Sequence, residues 1–293
     1  MISQLLASTL RLSTPLIFAA MGGMLSERSG VINIALEGLM LMGALGAAVG
    51  TVATHSPWLG LLIGMGAGLA MAFIYALLVI PFRANQIVAG MAINMLALGL
   101  TPFLCKMLYG VTGSTPQISY PEQFHSAPLY LAWIVVGLCW YLMKFTPAGL
   151  WLGFAGEHPE ALEAAGIPAN RIRWLAVLAS GVLAGAGGAT LSTFLSSSFA
   201  RNMAAGRGFM ALAALIFGKW RPIPAALACV LFGFADAAQI QLQGVKFRGA
   251  EVPVQFIQIL PYLVTILVLA GFVGRARAPK ALGKHFSTAN ERE

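Results

Sequence analysis

The residues best placed to do chemistry in this sequence are polar side chains inside long apolar runs. Asn33 and Glu37 lie one helical turn apart in the run 31–54. Gln86, Gly90, Asn94 and Thr101 recur at helical spacing in 86–109, and Asp236, Gln239 and Gln243 fall at i, i+3 and i+7 near the end of another run. Hydrocarbon penalises such groups, so three stripes on three runs suggest convergence on a water-accessible path. Interhelical hydrogen bonds that only hold a bundle together are the competing reading. On a path, amides and carboxylates can hydrogen-bond a polar solute, and Glu37 and Asp236 can relay protons. Glu37 lies about 9 Å along a helix from Val31, at about 1.5 Å per residue, so it can also snorkel toward an interface. The candidate path residues are Asn33, Glu37, Asn94, Asp236 and Gln239.

A second constellation is acidic and lies between apolar runs. In the stretch from Glu157 to Ile167, Pro159 can open a short helix, and Gly166 followed by Pro168 can stop it. Glu157, Glu160 and Glu163, at i, i+3 and i+6, are predicted to share one face of that helix. An exposed charged helix in a chain otherwise suited to lipid is either a docking surface or a solvated loop.

Bond-making chemistry has no constellation to carry it. The sequence has no phosphate-cradling G-x-x-x-x-G-K-[ST] loop and no H-E-x-x-H pair. No serine sits in a nucleophile-elbow pattern. His55, His125, His158 and His285 fall in four different polar segments, and Cys105, Cys139 and Cys229 sit in apolar runs, as buried free thiols do. The expectation is a protein that is not an enzyme and has no catalytic residue, metal site or cofactor.

The elements that must position these residues follow from composition. Of 293 residues, 58% are hydrophobic and 10% are charged, and the mean hydropathy is +0.81. Soluble domains carry about 25% charged residues, so this is an all-α polytopic membrane protein. Apolar runs predict spans at 5–25, 31–54, 58–80, 86–109, 129–145, 172–195, 208–217, 223–241 and 256–273. That makes about 8–10 transmembrane helices in a domain covering 1–275, with a polar tail over 276–293 and a connecting loop at 146–171. Two regions are interrupted, at Ser29-Gly30 and at Gly218 to Pro222, and broken apolar segments point to transport sites. Pairs of glycines four apart (Gly46 and Gly50, Gly60 and Gly64, Gly181 and Gly185) suit close helix packing. The net charge of +8 reflects loop cations rather than a nucleic-acid surface. Twelve of the 18 Lys and Arg residues fall on one side of the predicted topology, among them Arg28, Arg83, Lys144, Arg173, Arg221 and Lys280. That side is expected to be cytoplasmic, with the 146–171 loop and the C-terminus.

The segments that carry these features resemble a known family. Ser26-Glu27-Arg28-Ser29-Gly30-Val31-Ile32-Asn33-Ile34-Ala35-Leu36-Glu37-Gly38 looks like the signature of ABC-importer permeases of the simple-sugar and nucleoside type, relatives of the ribose and branched-chain amino-acid permeases. Gly156 to Ile167 resembles the family's Gly-Glu-x-Pro-x-Ala-x-x-x-Gly-Ile element. Gly206 to Pro222 and Leu231 to Ala237 add two further matches, and the resemblance as a whole runs from about residue 12 to 273. The resemblance implies a type II-like importer permease in a bacterial inner membrane, whose path takes a nucleoside or simple sugar. It implies two ABC ATPase subunits or domains, a second permease, identical or not, and a periplasmic or lipid-anchored solute-binding protein. The ATPases would grip a coupling helix built from Glu157, His158, Pro159, Glu160, Glu163, Gly166 and Ile167. Family members often carry a basic residue before the Gly-Glu pair, where this chain has Phe154-Ala155, so that contact is expected to differ. The alternative is an ion- or proton-coupled secondary transporter acting without ATPase partners.

Overall fold

The computed structural model describes residues 2–242, 246–247, 250–251 and 277–286. Among these residues ten α-helices follow in order: α1 Ile2–Arg28, α2 Leu36–Thr54, α3 Pro57–Val79, α4 Gln86–Tyr109, α5 Ala127–Phe145, α6 Pro147–Glu157, α7 Pro159–Ala164, α8 Ala169–Thr190, α9 Arg207–Phe217 and α10 Pro222–Leu242. Helix α8 runs on into a π-helical turn, Leu191–Leu195, and two short antiparallel strands, Lys246–Phe247 and Ala250–Glu251, follow α10. Seven described helices are long and apolar enough to cross a membrane, and α9 is a shorter apolar helix. The span expected at 256–273 lies outside the described residues.

Local chemistry sets many of the helix ends. Prolines open α3, α5 and α6, where the missing N–H costs nothing. The Asn85 side chain caps α4 by accepting from the amides of Ile87 (3.0 Å) and Val88 (3.2 Å). His55, left-handed at φ 54°, makes the tight turn between α2 and α3.

The centre of the bundle is α1, α2, α3 and α8; α2 and α3 pack on each other and on α8, and α1 joins α8 to α10. Glycine makes the closest approaches possible. A Cβ at Gly64 would stand 2.7 Å from the Gly43 carbonyl oxygen, and one at Gly43 would overlap Gly185. The paired glycines therefore serve packing within the chain: a Cβ at Gly46 would meet Ala67, and one at Gly181 would meet Ala72. Helices α4 and α5 are peripheral. Met95, Phe103 and Met107 of α4 and Tyr130, Ile134 and Leu138 of α5 are exposed, as lipid-facing side chains are.

Two expectations change. In the run 31–54 the helical turn expected to carry Asn33 is not formed: Gly30 is left-handed at φ 96°, and α2 begins only at Leu36. Asn33 and Glu37 therefore do not share a helical face. The 146–171 segment contains two helices rather than one. His158, at φ −146° and ψ 73°, separates α6 from α7, so Glu157 closes one helix while Glu160 and Glu163 belong to the next. The face expected from i, i+3, i+6 spacing is not formed.

Candidate functional site

The break between α1 and α2 puts non-helical backbone inside the bundle, where each unsatisfied polar group costs several kcal/mol. Groups from several segments meet that demand. Arg173 Nε donates to Ser29 O (3.2 Å), the Gly283 amide to Gly30 O (3.0 Å) and Ser26 Oγ to Val31 O (2.9 Å). Gln86 Oε1 accepts from the Ile32 amide (2.8 Å), and the Tyr75 hydroxyl donates to Ile32 O. Asn94 works at both ends of its amide: Oδ1 accepts from the Gly38 amide (2.8 Å) and Nδ2 donates to Ile34 O (2.9 Å). Every backbone carbonyl from Ser29 to Ile32 thus has a partner, as buried backbone requires. The stripe on α4 is real, but Gln86, Gly90 and Asn94 all face the broken segment: a Cβ at Gly90 would sit 3.2 Å from the Ala35 amide nitrogen.

Glu37 performs a similar task for a second interruption. Gly206, left-handed at φ 86°, precedes α9 and leaves the amides of that helix start without intrahelical acceptors. Glu37 Oε1 accepts from the Gly206 amide and Oε2 from the Gly208 amide, both at 2.7 Å. A carboxylate at a helix N-terminus is also favoured by the helix dipole. Close approach makes this possible, since a Cβ at Gly208 would overlap the Glu37 backbone amide. At the far end of α9, Lys219 and Trp220 are both left-handed (φ 53°), and Trp220 Nε1 anchors the turn by donating to Glu27 Oε2 (2.6 Å).

The remaining path candidates are less committed. Asn33 is fully buried; its Nδ2 donates to Ser180 Oγ (2.8 Å), and its Oδ1 has no hydrogen-bond partner among the described residues. Asp236 and Gln239 are half-buried on α10, which packs on α1, α9 and α5. Glu37 and Asn94 thus clamp backbone, Asn33 reaches α8, and Asp236 and Gln239 lie on α10.

The acidic element closes as its sequence predicts. Gly166 is left-handed (φ 79°), its amide donates to Glu163 O (2.8 Å), and the Ile167 amide donates to Leu162 O (3.1 Å). This is a Schellman stop, with Leu162 and Ile167 completing the apolar contact that accompanies it. Pro159 and Leu162 are buried and anchor α7, whereas His158, Glu160, Ala161 and Ala164 are exposed. Glu163 turns Oε1 inward. Glu157 and His158 face the C-terminal segment: Glu157 Oε2 accepts from the Lys280 amide (3.4 Å), and Lys280 Nζ lies 3.3 Å from His158 Nε2.

Arg173 is the functional candidate that sequence reasoning missed. It is 3% exposed and donates to three carbonyls from three segments: Ser29, Ala155 (3.4 Å) and Lys284 (3.0 Å). In sequence it is one more loop cation beside Arg171, and nothing there marks it as buried.

The model of the family described as branched-chain amino acid transport system / permease component matches residues 5–269. The chain belongs to this family. The guanosine ABC transporter permease protein NupQ of Bacillus subtilis (strain 168) is 40% identical over 309 residues, covering 96% of each chain. The nucleoside ABC transporter permease protein NupC of Lactococcus lactis subsp. cremoris (strain MG1363) is 39% identical over 308 residues, again covering 96% of each. The provisionally named glucose ABC transporter permease protein TsgC13 of Haloferax volcanii is 34% identical, over 94% of this chain and 93% of its own. As a member, this chain is a multi-pass transmembrane permease subunit of an ABC importer, the non-catalytic part of such a transporter. Family membership brings ATPase and solute-binding partners with it, and it sets aside the self-sufficient secondary carrier. Of the two carboxylates offered as proton carriers, Glu37 and Asp236, Glu37 already has both oxygens engaged by backbone amides.

Proposed function

We propose that this permease imports a nucleoside and is driven by ATPase subunits that dock on α7. The observation that carries the solute class is similarity at 40% and 39% identity, over nearly the whole chain, to permeases named for guanosine and nucleosides. A nucleoside offers ribose hydroxyls and ring nitrogens that amides and carboxylates can bind. Asn33, whose Oδ1 has no hydrogen-bond partner among the described residues, and Asp236 and Gln239 on α10 are the path residues; Glu37 and Asn94 shape the path by holding the broken segments. Labelled guanosine uptake in cells lacking other nucleoside transporters tests this. Unlabelled nucleosides should compete and glucose should not; competition by glucose alone would overturn the nucleoside reading.

Two such permeases, identical or not, form the pore, two ATPase subunits sit beneath it, and a periplasmic or lipid-anchored binding protein delivers solute. The Arg28 end, with α6, α7 and the tail, faces the cytoplasm of a bacterial inner membrane, in keeping with the 12 to 6 partition of Lys and Arg. On the coupling element, the exposed carboxylate of Glu160 and the small side chains Ala161 and Ala164 form the face offered to the ATPase. Pro159, Leu162, Gly166 and Ile167 fix its shape, while Glu157, His158 and Glu163 border it. Glu160→Arg should weaken ATPase co-purification without lowering the amount of permease. Undiminished co-purification would remove α7 from the docking site.

A further inference from the structure

The segment 279–286 is not a loose polar tail. Its backbone is tied to the two places where the transport reading needs movement to be passed on. The Ala281 amide donates to Gly156 O (2.8 Å), at the end of α6 just before α7, and the Gly283 amide donates to Gly30 O (3.0 Å), at the break between α1 and α2. Gly283 is left-handed (φ 77°), and a Cβ there would stand 2.9 Å from Ile32 Cδ1, so the segment packs directly on the broken stretch. Phe286, 9% exposed, completes a small apolar cluster with Ala155, Leu162 of α7 and Ala169 of α8.

Arg173 locks the same junction from within the fold. Its guanidinium binds the carbonyls of Ser29 at the break, Ala155 in the last turn of α6 and Lys284 in the tail. Ser29 and Ala155 lie at the C-terminal ends of α1 and α6, where exposed carbonyls and the helix dipole favour a cation. The rigid fork of Arg, with five N–H donors, suits three acceptors that a lysine ammonium would serve less well.

We propose that residues 279–286 are a coupling strap. Together with Arg173 they fasten the end of α6 and the start of α7 to the broken segment 29–35, so that displacement of α7 by an ATPase moves the break rather than bending the 156–158 hinge. The proposal rests on the docking role given to α7 above. Equal contact in both transport states would shift nothing, so the strap is required to hold α7 and the break as one body while the rest of the bundle moves against them.

The test uses the assembled transporter, with its ATPase, second permease and binding protein, in proteoliposomes. The chain is ended after Ala278 or, as a control, after Phe286; Arg173→Lys and Phe286→Ala are tested beside them. Ending after Ala278 should leave the ATPase subunits bound but lower solute moved per ATP, and the stimulation of ATPase by loaded binding protein, by at least about fivefold. Ending after Phe286 should change neither, and Arg173→Lys should fall between. If the shortened chain does not accumulate, Phe286→Ala carries the test: a lower transport-to-ATP ratio at unchanged thermal stability supports the strap. A normal ratio in the chain ended after Ala278, or in Phe286→Ala where that variant carries the test, overturns it. Loss of bound ATPase also overturns it, because the segment would then be part of the docking surface. Glu160→Arg separates the two readings: intact association there sinks the docking role of α7, whereas lost association there with a normal ratio in the strap variants sinks the strap alone.

Discussion

Glu37→Gln distinguishes a carboxylate that binds solute from one that holds backbone. The side chain is 6% exposed, and its two oxygens each accept one amide hydrogen bond at 2.7 Å. Glutamine keeps the shape but offers one oxygen and one NH2, so one of the Gly206 and Gly208 amides would face a donor. Hydrogen bonds to a charged group contribute about 1.5–3 kcal/mol, neutral ones about 1, and a buried donor left unpaired costs about 1–3. Easier burial of the neutral amide offsets part of this, leaving a net loss of about 2 kcal/mol. Glu37→Ala strands both amides and should cost about twice as much, roughly 4 kcal/mol. Equilibrium unfolding in mixed detergent micelles measures both, alongside the solute concentration giving half-maximal uptake. The reasoning is refuted if Glu37→Gln unfolds like the parent while its half-maximal concentration rises, because Glu37 would then touch solute rather than α9.

Asn94→Leu should cost about 3 kcal/mol, since the Gly38 amide and Ile34 carbonyl both lose their partner in the bundle; unfolding and expression level check it. Gly156→Ala should cost about 1–3 kcal/mol, because the new methyl would overlap the Arg28 carbonyl oxygen and stand 3.1 Å from the Gly30 amide; thermal stability in detergent reads it. Gly166→Ala has open space around its methyl, so only the left-handed backbone resists, at about 1 kcal/mol. Faster proteolysis confined to 157–170, with the bundle's unfolding midpoint unchanged, is the expected result.

Much of this was legible in the sequence because it rests on local rules. Apolar length marked the seven long helices among the described residues, and the Pro159 and Gly166 pair marked the short helix that the structure ends with a left-handed glycine. The break at Ser29-Gly30 was visible as an interruption, but its extent was not. Residues 31–35 are nearly as apolar as a helix, yet 31–33 have no regular structure and 34–35 turn, with Gln86, Asn94 and Tyr75, distant in sequence, holding their backbone. For the same reason the polar stripes were recognisable while their purpose was not. A carboxylate in an apolar run looks alike whether it meets solute or a glycine amide 169 residues away. The shared face of Glu157, Glu160 and Glu163 failed because a helical period was carried across His158, whose backbone is not helical. Arg173 was hidden by its company: Arg171 next to it stays exposed, and no spacing separates a buried cation from a solvated one.

The most direct measurement is solute accumulation by proteoliposomes made with the permease alone and with the complete assembly. Vesicles holding the assembly, its binding protein and ATP should concentrate guanosine against its gradient, and vesicles holding only this chain should not. Uphill accumulation by this chain with no other polypeptide present would contradict a permease driven through α7.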